Sequence, residues 1–231
     1  MEKLNVLYED NHIIVVVKPC NVLSQGDNTG DIDMLTIIKK YIKEKYNKPG
    51  NVYLGLVQRL DRPVGGIMVF ARSSKAASRL TEMIKKHDFT KKYLAIVNGT
   101  FKDECGEFRD CLLKQDNGNT IVTTKNKGKE SILKYKVLDQ DDSHNLSLVE
   151  IELLTGRHHQ IRVQFSSRNH SLYGDQRYGK KDNKQIALWA YELQFVHPVK
   201  KEMMNFVYYP PKNDGWKLFE KKLLNSSCKW F

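Results

Sequence analysis

One acidic side chain stands among cations where a polar stretch meets an apolar one: Gln58-Arg59-Leu60-Asp61-Arg62 runs through Pro63 into Gly65-Gly66 and then Ile67 to Ala71. Far along the chain, Thr155-Gly156-Arg157-His158-His159-Gln160-Ile161-Arg162 forms a second cluster. Desolvation in a closed pocket pushes a carboxylate towards its neutral form, whereas a guanidinium a few ångströms away keeps it ionised. Arg162 is a cation able to do this for Asp61. An ionised carboxylate so held serves as a nucleophile or as a stabiliser of developing positive charge, and the two segments together point to a reaction centre.

Adjacent His158 and His159 invite a metal reading. Neighbouring side chains on a helix diverge, and no third ligand accompanies them, so packing or backbone hydrogen bonding is their expected role. Cys20, Cys105, Cys111 and Cys228 are scattered with no Cys-x-x-Cys pair, which argues against zinc and for reduced, buried thiols.

The elements that must position these residues come from an ordinary globular composition. The chain has 231 residues, 40% of them hydrophobic, which is enough to bury a core without metals or disulfides. Lys and Arg number 38 against 27 Asp and Glu, a net charge of +11 that favours a polyanionic partner. No apolar run approaches the about 20 residues of a membrane span, so the expected compartment is the cytoplasm and no membrane partner is expected.

Ile13 to Val17 is a continuous β-branched run closed by Pro19, as in a buried strand. Met34, Ile38, Tyr41, Ile42 and Tyr46 recur at helical spacing, with Asp31 or Asp33 as N-cap and Pro49-Gly50 as the stop. Ile67 to Ala71 reads as a second buried strand. After Ser73-Ser74, Ala76, Leu80, Met83, Ile84 and His87 form a helical stripe whose other face carries Lys75, Arg79, Lys85 and Lys86. Tyr93 to Val97 is the next strand, and residues 114–129 form a hairpin or mobile loop. Val149, Ile151 and Leu153 alternate with Glu150 and Glu152, and Trp189, Tyr191, Leu193 and Phe195 do the same further on, as half-buried strands should. His158 to Arg168 reads as a helix with Ile161 and Phe165 inward, His158 and Arg162 one turn apart, and an N-terminal end suited to an anion. From Asp214, Trp216, Phe219, Leu223 and Leu224 share one face of a closing helix.

Gln58-Arg59-Leu60-Asp61 with Gly65-Gly66, then Lys92-Tyr93-Leu94-Ala95, then the Thr155 to Arg162 segment, closely resemble the RluA family of RNA pseudouridine synthases in order and spacing. The likeness runs on through Gly174-Asp175 and Tyr178-Gly179 to His197-Pro198. It implies an α+β fold, a mixed and mainly antiparallel central sheet flanked by helices, with a basic active-site cleft. It also implies site-specific isomerisation of uridine to pseudouridine in ribosomal or transfer RNA, without a cofactor. A monomer with no metal and no obligate protein partner is the expected state.

By that resemblance Asp61 is the catalytic carboxylate, Arg162 its cationic partner, and Tyr93 the ring that stacks on uracil. Cleaving a glycosidic bond builds positive character at the anomeric carbon, which an ionised carboxylate can stabilise or capture. Direct attack on the sugar and removal of a sugar proton to give a glycal both need the same group. Arg59, Arg62, Arg157 and Ile161 are the expected substrate-binding residues, Arg59 at a cleft edge where it helps extract the nucleotide from its stack. Two departures stand out: Gln58 where the family usually has His, and His158 where a Thr often precedes the second histidine. Gln58 still donates and accepts hydrogen bonds, so a changed surrounding or RNA contact is expected, not an inactive protein.

The expected organisation is one catalytic domain over residues 1–231, without a separate RNA-binding domain before it. A nucleoside or glycoside hydrolase would also place a carboxylate at an anomeric carbon, but it normally needs a second acid or an activated water, and no second acid accompanies these motifs. A non-catalytic RNA-binding module is the other rival.

Overall fold

The computed structural model describes residues 4–225, except the side chains of Asp214, Leu224 and Asn225. Contacts divide the chain into two compact units. The first holds the chain through Thr90 together with Ala190–Tyr208; the second holds Lys91–Trp189 and the chain from Tyr209.

In the first unit, runs of apolar residues without polar interruption make strands covered on both faces. Ile13–Lys18 (β2) and Gly65–Ala71 (β4) are buried at every residue and pair antiparallel, Val15 opposite Val69. Asn5–Glu9 (β1) lies beside β2, and Gly55–Leu56 (β3) adds a short rung to β4. Leu188–Val196 (β10) follows β4 in the sheet order, and Met203–Val207 (β11) pairs antiparallel with β10. Gly66 makes the β4–β10 approach possible. Its φ is 127°, and a Cβ there would stand 2.3 Å from the Ala190 carbonyl oxygen, so only glycine fits.

Two capped helices belong to this unit. Asp33, not Asp31, caps Met34–Lys45 (α1): its Oδ1 accepts from the Leu35 and Thr36 amides, and Met34, Ile38 and Ile42 are buried. Ser73 caps Ser74–Lys85 (α2), which sets Ala76 and Leu80 against Ile13, Val15, Ile67, Val69, Leu193 and Phe195. Met83 and Ile84 pack at the edge of that cluster. His87 does not extend the stripe as its spacing suggests, because α2 stops at Lys85 and His87 turns into the left-handed region at φ 61°.

The second unit is antiparallel throughout its sheet. Phe89–Asn98 (β5), Leu146–Leu153 (β9), Lys129–Asp141 (β8), Cys105–Lys114 (β6) and Thr120–Thr123 (β7) lie side by side in that order. The polar stretch 114–129 resolves into a β6–β7 hairpin followed by a turn into β8. Gln160–Ser166 (α3) packs on this hairpin. Near the chain end, a 3₁₀ turn over Asp214–Phe219 leads into Glu220–Asn225 (α4), with Trp216, Phe219 and Leu223 buried as the stripe requires. The side chain of Leu224 lies outside the described residues.

Cys20 and Cys111 are half-buried and Cys105 is exposed, all three as free thiols. The expectation of buried thiols is corrected here: only Phe108 and Leu112 of β6 are buried, so both of its cysteines stay at least partly in contact with solvent. Cys228 lies outside the described residues. Among them, no helix is long and apolar enough to cross a membrane.

Candidate active site

In the first unit, Asp61 stands on the turn between β3 and β4, where the Val64 amide donates to the Asp61 carbonyl at 3.0 Å. It is partly exposed, between buried Leu60 and Val64. Side chains from the end of β2 and from the loop after it fix the backbone on both sides of it. The Ser24 hydroxyl donates to the Leu60 carbonyl at 2.7 Å and accepts from the Leu60 amide at 3.1 Å. Lys18, fully buried, donates to the carbonyls of Arg62 and Pro19, each at 3.0 Å, and of Val22.

Those three carbonyls take all three donors of the ammonium, so its charge acts on Asp61 through space and not through a hydrogen bond. Burial pushes the Lys18 ammonium down to about 8, while the Cys20 thiol and the Asp61 carboxylate act in the other direction. Sequence reading missed Lys18. The available signal was a lysine closing a run that is otherwise wholly apolar.

The neighbours of Asp61 reach outward. Arg59 is exposed, and exposed Arg62 pairs with Asp31 at 2.8 Å, a contact that solvent screens. Gln58 buries its side-chain amide nitrogen without an acceptor among the described residues.

In the second unit, Tyr93 sits on β5 opposite Ile151 of β9 and is 7% exposed. The Thr155 to Arg162 segment is held by one buried amide. Gln160 accepts from the Thr155 hydroxyl at 2.9 Å and the Arg157 amide at 3.0 Å, and donates to the Ile132 carbonyl at 3.1 Å. Arg157 is exposed and gives its Nε–H to the Glu130 carbonyl at 2.9 Å; Ile161 is buried.

The helix expected over 158–168 is shorter, and its entry differs. It spans seven residues, because His159 precedes it in the left-handed region at φ 52° and turns the chain there. His158 is therefore not one helical turn from Arg162. The His158 and His159 rings stack at 3.7 Å instead of diverging. Each finds a side-chain partner: His158 Nδ1 the Thr120 hydroxyl at 2.9 Å, and His159 Nδ1 the Tyr178 hydroxyl at 2.7 Å, which also accepts from the Thr120 amide. So short a helix does not supply the anion site expected at its N-terminus.

Arg162 is buried at 6% exposure and gives Nε–H to Asp175 Oδ2 at 2.8 Å and Nη2–H to Asp175 Oδ1 at 2.7 Å. This fork-to-fork pair fixes the plane of the guanidinium and uses two of its five donors. The Tyr178 ring covers the guanidinium at 5.2 Å. Burial of Asp175 raises its carboxyl, but the Arg162 hydrogen bonds and charge, with the Arg177 and Tyr178 amides, outweigh it and hold the group below its usual value. Gly174 delivers this aspartate at φ 70°, where a Cβ would stand 2.2 Å from the Gln185 carbonyl oxygen. Sequence reading gave Asp175 no role, since nothing in a Gly-Asp pair identifies a partner thirteen residues back.

Asp61, Arg59 and Arg62 thus belong to the first unit, and Tyr93, Arg157, Ile161 and Arg162 to the second. Residues 12–167 match the family model of RNA pseudouridylate synthases. An uncharacterised RNA pseudouridine synthase of Aquifex aeolicus is 31% identical over 223 residues, spanning 90% of this chain and 70% of the relative. The ribosomal large subunit pseudouridine synthase C of Escherichia coli O157:H7 is 30% identical over 234 residues, 96% of this chain and 70% of that protein. The solved human RNA Pseudouridylate Synthase Domain Containing 4 has the same fold, with a TM-score of 0.76 at 20% identity over 95% of this chain and 91% of its own. Since these matches cover most of its length, the chain belongs to the RluA family of RNA pseudouridine synthases and is an enzyme that isomerises uridine in RNA.

Proposed function

We propose that both units together form one catalytic domain that converts a specific uridine of a structured ribosomal or transfer RNA to pseudouridine, with Asp61 as the catalytic carboxylate. The bond from N1 of uracil to the anomeric carbon breaks, the base turns, and C5 bonds to that carbon. The C5 proton leaves and N1 gains one, so product and substrate have the same formula and no co-reactant is consumed. Asp61 stabilises or captures the anomeric carbon, Arg162 is its cationic partner, and Tyr93 stacks on the detached uracil. Arg59, Arg62, Arg157 and Ile161 contact the RNA.

The observation that carries this reading is the treatment of Arg162: a buried guanidinium whose plane is set by a bidentate carboxylate, in the segment matching the family's motif. Such a cation is preorganised, and it costs little reorganisation when charge develops beside it. Large ribosomal RNA is the first substrate to test, since the E. coli relative carries that name.

RNA labelled with tritium at C5 of uridine reports turnover as tritium released to water. Asp61→Ala should abolish release while the protein stays folded by circular dichroism. Persistent release would refute the role of Asp61, and free uracil as the product would mean hydrolysis. Mapping pseudouridines in total RNA with and without the protein identifies the target.

A further inference from the structure

We propose that Lys91 is an RNA-binding residue of this site, its ammonium taking a backbone phosphate next to the uridine that reacts. The inference rests on the reading of Tyr93 as the residue that meets that uridine.

Successive residues of a strand point to opposite faces, so Lys91 and Tyr93 share one face of β5, about 7 Å apart along it, and Lys92 takes the other. The two lysines have different surroundings. Lys92 faces Glu150 at 3.8 Å across the β5–β9 ladder. The Lys91 ammonium has no hydrogen-bond or ion-pair partner among the described residues. Its ammonium lies at the Thr155–Arg157 turn, where a Cβ on Gly156 would stand 3.5 Å from Nζ. Gly156 and Arg157 are both exposed, so an incoming chain reaches this turn from solvent.

Burial pushes the Lys91 ammonium below the ordinary lysine value, and no acidic neighbour acts in the other direction. A cation withdrawn from water without a counter-charge is costly, and proteins ordinarily pair it. The polyanion that this family modifies supplies the missing charge. A phosphate suits the site better than a uracil carbonyl, because the deficit is a full unit of charge and not one acceptor. Arg157, exposed on the same turn, gives the backbone a second cation to follow.

The test is RNA binding and tritium release by Lys91→Met, Lys91→Gln and Lys91→Arg across a series of salt concentrations. Loss of one phosphate contact should flatten the slope of log Kd against log salt by about 0.7 to 0.9 and raise KM and Kd about tenfold in the Met and Gln variants. Saturating kcat should stay within about threefold, and Arg should restore most of the affinity. An unchanged slope and Kd would overturn the proposal, as would a lost kcat at unchanged Kd, which would give Lys91 a part in the chemistry instead. If the unaltered protein binds RNA with a Lys91-dependent slope yet releases no tritium, the isomerisation reading fails and the phosphate contact stands. If it releases tritium and Lys91→Met keeps its slope, the phosphate contact alone fails.

Discussion

The two units fix their key charges by opposite means. In the first, the buried cation Lys18 spends all its donors on main-chain carbonyls, so it shapes the backbone of the turn that carries Asp61. In the second, the buried cation Arg162 is gripped by a carboxylate, so what is fixed is a side chain and its orientation. An ammonium is a compact charge with three rotatable donors that gathers scattered carbonyls, whereas a guanidinium is a rigid fork that matches a carboxylate. The acid of the proposed reaction therefore owes its position to main chain, and its proposed cationic partner owes its position to side chains.

The largest effect should come from breaking the side-chain arrangement. Arg162→Met leaves Asp175 buried without its counter-charge, which should cost about 3–5 kcal/mol in urea denaturation and stop turnover. Adding Asp175→Leu to that variant should recover most of the stability and none of the turnover. If stability does not recover, the pair is not what the second unit loses.

Lys18→Met tests the other half. Three carbonyls lose their donor, but a buried charge also disappears, so the net loss should be smaller, about 1–3 kcal/mol. The pH dependence has a definite sign. The folded group titrates at about 8, below the ordinary lysine value of 10.5, so between these values the unfolded chain binds more protons and stability rises with pH. That rise should shrink in Lys18→Met, leaving the part that Lys91, also held below its ordinary value, contributes; a rise of unchanged size would place the titration elsewhere.

Asp175 gives the mirror image in acid. Its folded carboxyl titrates below the usual 3.8, so its contribution is fully present above that value and is lost as pH falls through the folded one. Asp175→Asn should melt lower than the unaltered protein at neutral pH, and the gap should close on acidification. A gap that stays constant would mean that shape, not charge, is what Asp175 supplies.

The contrast also explains what the sequence disclosed. Strands β2 and β4 and helices α1 and α2 were legible because unbroken apolar runs and a 3.6-residue period have few other readings. So were Asp61, Tyr93 and Arg162 as candidates, through motif order. The partners were not. Lys18 looked like the end of a strand, and Asp175 like part of a loop, because each acts on groups distant in sequence. Helix α3 was expected too long and with the wrong entry because an αL residue such as His159 leaves no trace in hydrophobic spacing. Strand β8, with Lys129, Lys134 and Lys136 among its thirteen residues, lacks a clean alternation for the same kind of reason: only Ser131 and Leu133 of it are fully buried.

The smallest expected effect lies at Gln58, where this chain departs from the histidine its family usually carries. Its side-chain amide nitrogen is buried with no acceptor among the described residues, so the donor is desolvated without return. Gln58→Met keeps length and flexibility while deleting that donor, and should raise stability by up to about 1 kcal/mol. Gln58→His, by contrast, introduces a ring whose N–H needs the same absent acceptor, so it should not be stabilising, and turnover should change by less than about tenfold. A gain in stability for the histidine variant and a loss for methionine would mean that Gln58 makes its hydrogen bond after all. The first unit would then fix its acid with a side-chain network like that of the second, and the contrast between them would narrow.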